Sequence, residues 1–138
     1  MFALLLRDGS RKEIEVSDLW EAMRAALRHD AAKLEIPGSP PRLMLAEQVR
    51  QELSLDRPGL FDAYTPNWQS PTAAEFRELL RVATLTGSQA GMLVGVNQGK
   101  IRKWAGGEGA APYAVWRLLS IYAGLAEAAR RPYDELTK

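Results

Sequence analysis

Between Thr86 and Trp104 the chain reads TGSQAGMLVGVNQGKIRKW, and its polar residues are of the kinds that read nucleic acid. Gln98 carries an amide that can pair bidentately with adenine, and Asn97 carries another. Lys100, Arg102 and Lys103 supply positive charge for guanine O6/N7 or for phosphates, two roles that residue type alone does not divide. Gly99 lets a helix approach its partner closely. Ser88 and Gln89, at a helix start, can hold a phosphate through hydroxyl and backbone N–H groups. Capping is the equal alternative for that pair, and it also accounts for Asn97.

These residues need a scaffold, and the spacing of their apolar neighbours predicts one: two short helices joined by a tight turn. Gly87 to Val94 places Ala90, Leu93 and Val94 on one helical face. Gly95 then stands where a turn needs a positive φ, and Val96 plugs the corner. A second helix over about residues 97–104 has Asn97 as its cap and Ile101 and Trp104 on its buried side. Its outward side keeps Gln98, Gly99, Lys100, Arg102 and Lys103, the composition of a helix that enters the major groove.

With Gly91, Gly95, Val96, Ile101 and Trp104 in this register, the stretch resembles the helix-turn-helix of the phage-repressor and Cro-like (XRE) family of transcriptional regulators. The resemblance covers roughly residues 72–125. The longer run GVNQGKIRKWAGGEGAAPYAVWRLL is similar to regulators carried on phages, plasmids and integrating elements, in which a Gly-rich loop leads through a Pro to an aromatic-rich fourth helix. Gly91 stands where the family usually has Ala, and Gly87 where a phosphate-binding Gln is common. Each Gly costs up to about 1 kcal/mol of helix propensity, so these helices must lean on packing.

Composition excludes much else. The chain has 138 residues, no cysteine and one histidine, His29, so disulfides and thiolate metal sites are out, and no metal or other cofactor is implied. MFALLLRDGS at the start has too short an apolar run for a signal peptide, nothing approaches a membrane span, and a cytoplasmic protein is expected. Net charge is +1 overall but unevenly spread. Residues 1–71 hold nine Lys/Arg against eleven Asp/Glu, whereas residues 72–125 hold six against three. A modestly basic second half fits a DNA reader joined to a partner-binding or dimerising module. There is no GxxxxGK[ST] loop, no nucleophile elbow and no Cys–His pair, so an enzyme is not expected. AGGEG at Ala105–Gly109 follows a helix and not a strand, which fails the phosphate-loop context.

Taken in order, Phe2–Leu6, the turn signal Asp8-Gly9 and the alternating Lys12–Val16 predict a β-hairpin. Ser17 is read as the cap of a long amphipathic helix from about Asp18 to Glu35, with Leu19, Met23, Ala26, Leu27 and Leu34 on its apolar face. Trp20 lies one residue off that stripe, as a partner anchor would, and His29 is expected on the surface. Ile36-Pro37-Gly38-Ser39-Pro40-Pro41 is expected to be a loop. A further helix is expected over Leu43–Leu53. Ser54–Pro71 holds three aromatic residues, Phe61, Tyr64 and Trp68, and with Leu60 it reads as an ordered strap and not a free tether. Thr72 with Glu75 forms a capping box before a helix bearing Phe76, Leu79, Leu80 and Ala83. Pro112 opens another, with Val115, Trp116, Leu119 and Tyr122. A short helix or tail is expected around Leu125–Arg131.

The predicted fold is mainly α: an N-terminal β-hairpin plus helices (1–67), followed by a Cro-like helix-turn-helix bundle (68–138). The predicted function is a sequence-specific transcriptional regulator, a homodimeric repressor reading an inverted repeat in double-stranded DNA. Residues 1–67 exceed what DNA reading needs, and this surplus keeps a second reading open. On it the chain is an antitoxin or phage inhibitor whose N-terminal half binds a protein partner, with DNA binding serving autoregulation.

Overall fold

The computed structural model describes residues 1–127. The tail expected around Leu125–Arg131 therefore lies largely outside the described residues. The described chain is mixed in class, with a four-stranded antiparallel sheet and six helices. No helix among the described residues is long and apolar enough to cross a membrane.

The expected hairpin is present as β1 (Ala3–Leu5) and β2 (Arg11–Glu13), with Leu4 opposite Lys12. It is not left as a pair. The expected long helix ends early: α1 spans Leu19–Arg28, capped by Asp18, whose carboxylate accepts from the Glu21 N–H at 2.8 Å. Ser17 is therefore not the cap. The chain turns through His29 and Asp30, the latter at φ 49°, and continues as β3 (Lys33–Ile36). After the Pro-rich loop comes β4 (Arg42–Leu45), and only then the short helix α2 (Ala46–Glu52). The strand order is β2-β1-β3-β4.

This correction has a local cause. Leu34 sits seven residues after Leu27, a spacing that continues a helical stripe. KLEI also alternates, however, and in the sheet Leu34 pairs with Leu4 on one side and Met44 on the other. A hairpin alone is marginal in water, and two further strands plus α1 on one face supply the cover it lacks.

The strap follows α2 and is ordered as expected, with Leu55 and Leu60 buried and Phe61 and Trp68 packed against the core. Then come α3 (Ala73–Val82), α4 (Gly87–Val94), α5 (Gln98–Ala105) and α6 (Tyr113–Tyr122). The Thr72–Glu75 capping box forms at the head of α3. One hydrophobic cluster runs from Leu4 and Leu34 through α1 and the strap to Phe76, Ile101, Trp116 and Leu119. Full burial of side chains of this size stabilises by about 1.5–3 kcal/mol each.

Polar ties cross the same seam. Arg24 on α1 donates to Glu78 on α3 at 2.8 Å, and Arg28 donates to the Val82 carbonyl at 2.8 Å. The buried Trp116 indole N–H donates to the Leu60 carbonyl at 2.7 Å, and Phe61 stacks on the same ring at 5.7 Å. Arg57 in the strap grips Glu75 with two hydrogen bonds of 3.0 Å. Burial pushes the Glu75 carboxyl up, but the Arg57 guanidinium and the Thr72 amide outweigh it and hold the group below its ordinary range.

Candidate nucleic-acid interface

The α4–α5 pair is built from small residues inside and polar ones outside. Helix α4 opens on Thr86, whose hydroxyl accepts from the Gln89 N–H at 3.1 Å, while the Gln89 side-chain oxygen accepts from the Thr86 N–H at 2.9 Å. Its inward arc is Gly87, Ala90, Gly91 and Val94. Leu93 was expected on that arc, but it lies about a third of a turn away and is 39% exposed, next to Met92 at 83%.

Gly95 ends α4 with φ 72°, and the N–H groups of Gly95 and Val96 both donate to the Gly91 carbonyl. The chain folds back so tightly that a Cβ on Gly91 would stand 2.7 Å from the Val96 carbonyl oxygen. The close approach of the turn to α4 thus requires glycine at 91. Asn97 caps α5, its side-chain oxygen accepting from the Gly99 N–H at 2.6 Å.

Helix α5 is held from beneath. Ile101 is buried, and Trp104 is half-buried with its ring edge-on to Phe76 at 6.0 Å. At 3.6 residues per turn this leaves an outward arc centred on Gly99, with Gln98 and Arg102 on one flank and Lys100 and Lys103 on the other. All four flanking side chains are exposed. Among the described residues none of the three cations makes an ion pair, so their charge is open to a partner.

The structure thus gathers Asn97, Gln98, Gly99, Lys100, Arg102 and Lys103 along α5 and its cap, while Ser88 and Gln89 sit exposed at the head of the neighbouring helix. Two of the eight already have local work. Gln89 and Asn97 spend their carbonyl oxygens on caps, which leaves only their amide N–H groups to donate outward.

Two proteins of Escherichia coli, each called transcriptional repressor protein KorC, are 44% and 41% identical to this chain over 61 residues. The match covers 42% of this chain and 72% of each relative. The chain belongs to the KorC repressor family. No protein-family model matches it, and no solved structure does.

In this KorC relative a further residue acts on α5 from below. Arg77 on α3 donates to the Ala105 carbonyl at 2.6 Å. A cation on the last turn of a helix bonds an orphan carbonyl and complements the helix dipole, so Arg77 fixes the far end of α5. In the sequence Arg77 is only one of the six Lys/Arg of residues 72–125. Its spacing to Ala105 crosses two turns and one helix, and no local pattern carries such a contact. Arg24, Arg77, Glu78 and Arg81 are among the residues lining a cleft of about 460 Å³ beside α1 and α3, with Trp20 48% exposed at its side.

Proposed function

We propose that this chain is a sequence-specific DNA-binding repressor that reads the major groove with α5. On this reading the α4–α5 pair is a helix-turn-helix of the Cro-like (XRE) kind. The observation that carries it is the outward arc of α5, where one amide and three cations with no ion pair among the described residues surround Gly99 on a helix anchored by Ile101 and Trp104. Membership of a family of transcriptional repressors points the same way.

Gln98 reads a base, and Lys100, Arg102 and Lys103 divide between bases and phosphates. Ser88 and the Gln89 amide lie where the neighbouring helix head meets the backbone. A single unit of this size buries too little surface for tight specific binding. Two copies, joined through residues 1–67, read half-sites about 34 Å apart on one side of the duplex, so the operator is an inverted repeat.

The test is binding of the purified chain to a fluorescent duplex from its own upstream region against a scrambled duplex, across a salt series. A preference on the order of a thousandfold with a steep salt slope is expected. Equal, weak binding to both duplexes refutes the reading and turns attention to a protein partner.

A further inference from the structure

Helices α1 and α3 run side by side in a fixed register. Arg24 donates to Glu78 and Arg28 to the Val82 carbonyl, each bond joining residues 54 positions apart, so the two helices point the same way. One turn nearer their starts, the same offset brings Trp20 level with Ala74. Alanine is too small to cover an indole, and Trp20 stays 48% exposed while the apolar face of its helix is buried. The space left is the cleft of about 460 Å³, which both residues line. Small-molecule sites span about 300–1,000 Å³.

Pairing uses up most of the charge at this cleft. Glu78 is buried and accepts from Arg24 at 2.8 and 3.4 Å and from Arg81 at 3.1 Å, and the Asp18 carboxylate caps α1. Arg24 holds Glu78 through its Nε–Nη2 edge, and Arg57 holds Glu75 in the same way. In Arg77 that edge is open. Only its Nη1 is engaged, at the Ala105 carbonyl, and no acceptor among the described residues takes Nε or Nη2. Such a fork matches a carboxylate with two parallel bonds. Arg77 follows Ala74 by three residues, which puts it about 4.5 Å further along the axis of α3. Glu52, at the end of α2, is the remaining carboxylate of the lining, and it repels a second negative charge.

We propose that this cleft binds a small aromatic monocarboxylate, its ring against Trp20 over Ala74 and its carboxylate on the open edge of Arg77, and that the ligand strengthens operator binding. Nη1 keeps the Ala105 carbonyl while Nε and Nη2 hold the ligand, so binding fixes an exposed side chain in the arrangement that secures the last turn of α5. A ligand that favours one arrangement shifts the population toward it. Ligand and operator then raise each other's affinity by the same factor. The effect on DNA rests on the reading of α5 above; the site itself does not.

The probe is 2-naphthoate, titrated calorimetrically into the full chain without DNA, and saturable binding below millimolar concentration is expected. Naphthalene-2-methanol, which has the ring without the charge, should bind the same wild-type chain about tenfold or more weakly. Trp20→Ala and Arg77→Gln should each weaken 2-naphthoate by a similar factor. Amide exchange at residues 103–106 should slow when 2-naphthoate is added to the wild type, still without DNA. On the upstream duplex, saturating 2-naphthoate should raise affinity about fivefold or more. No binding at millimolar 2-naphthoate overturns the site, and so does equal binding of acid and alcohol, whatever the variants do. Binding that neither variant weakens places the ligand elsewhere and overturns it too. Unaltered exchange at the end of α5 overturns the link through Arg77, and an operator affinity that stays level or falls overturns the effect on DNA. A chain that binds 2-naphthoate as expected but prefers no duplex refutes only the DNA reading.

Discussion

Replacing Gly91 with alanine sets two effects of opposite sign against each other. In a helix interior Gly→Ala gains about 1 kcal/mol of propensity. Against this, the new Cβ would lie 2.7 Å from the Val96 carbonyl oxygen and 3.5 Å from the Gln98 backbone nitrogen. Even short C–H···O contacts lie at about 3.3–3.6 Å, so the turn must move by roughly half an ångström or more. The obstacle is backbone, with no rotamer to relieve it, and overpacking of this kind costs about 1–3 kcal/mol. We expect Gly91→Ala to lose about 1 kcal/mol net, lowering Tm by about 4 °C for a chain of this length. Operator affinity should fall as well, because Gln98 moves with the turn. Gly87→Ala is the control: its Cβ would meet Ile101 Cγ2 at 3.7 Å, an ordinary contact, so the gain in propensity stands and Tm should rise. Calorimetry on both variants gives the answer. If Gly91→Ala raises Tm as Gly87→Ala does, close packing does not govern this turn.

At the α5 surface, Gln98→Ala should relax base preference at one position of each half-site by about 1–3 kcal/mol, read from a panel of single-base operator variants. Lys103→Ala, if it meets phosphate, should weaken all duplexes alike and flatten the salt slope by about 0.9 in a log–log plot. Trp116→Phe leaves the Leu60 carbonyl without its 2.7 Å partner, and urea unfolding should show a loss of about 1–3 kcal/mol. Acid should destabilise the fold through Glu75. Its folded pKa lies below the ordinary 4.5, so its contribution is complete above that value and is lost as the pH falls through the lower folded one. His29 acts in the same direction at milder acidity. Burial first, then Arg28 and Lys12, lower its pKa from 6.5, so its protonation below that value favours the unfolded chain. Stability measured from pH 7 to 3 should decline throughout, with a shallower acid limb in Glu75→Gln.

Local chemistry was legible where a feature closes within a few residues. The Thr72–Glu75 box, the Gly95 turn, the Asn97 cap and the inward Ile101 and Trp104 each follow from spacings of two to four residues, and the structure has them. The order in the strap was legible because aromatic side chains need burial. Strands β3 and β4 were not. Three or four residues give too few alternations to outweigh a Leu27–Leu34 spacing that suits a helix, and the partners that decide the matter lie on β1. Leu93 misled for a related reason, since hydrophobicity marks a side chain as apolar without saying which arc of a short helix has a neighbour.

The sequence by itself determined where α3, α5 and α6 begin, the turn before α5 and the set of polar residues that α5 turns outward, because capping and periodicity act over one or two turns of chain. Tertiary structure alone decided that the hairpin grows into a four-stranded sheet, that Gly91 is sterically required, and that Arg77 holds the last turn of α5. Each of these depends on distances between segments far apart in the chain, which packing fixes and local pattern does not.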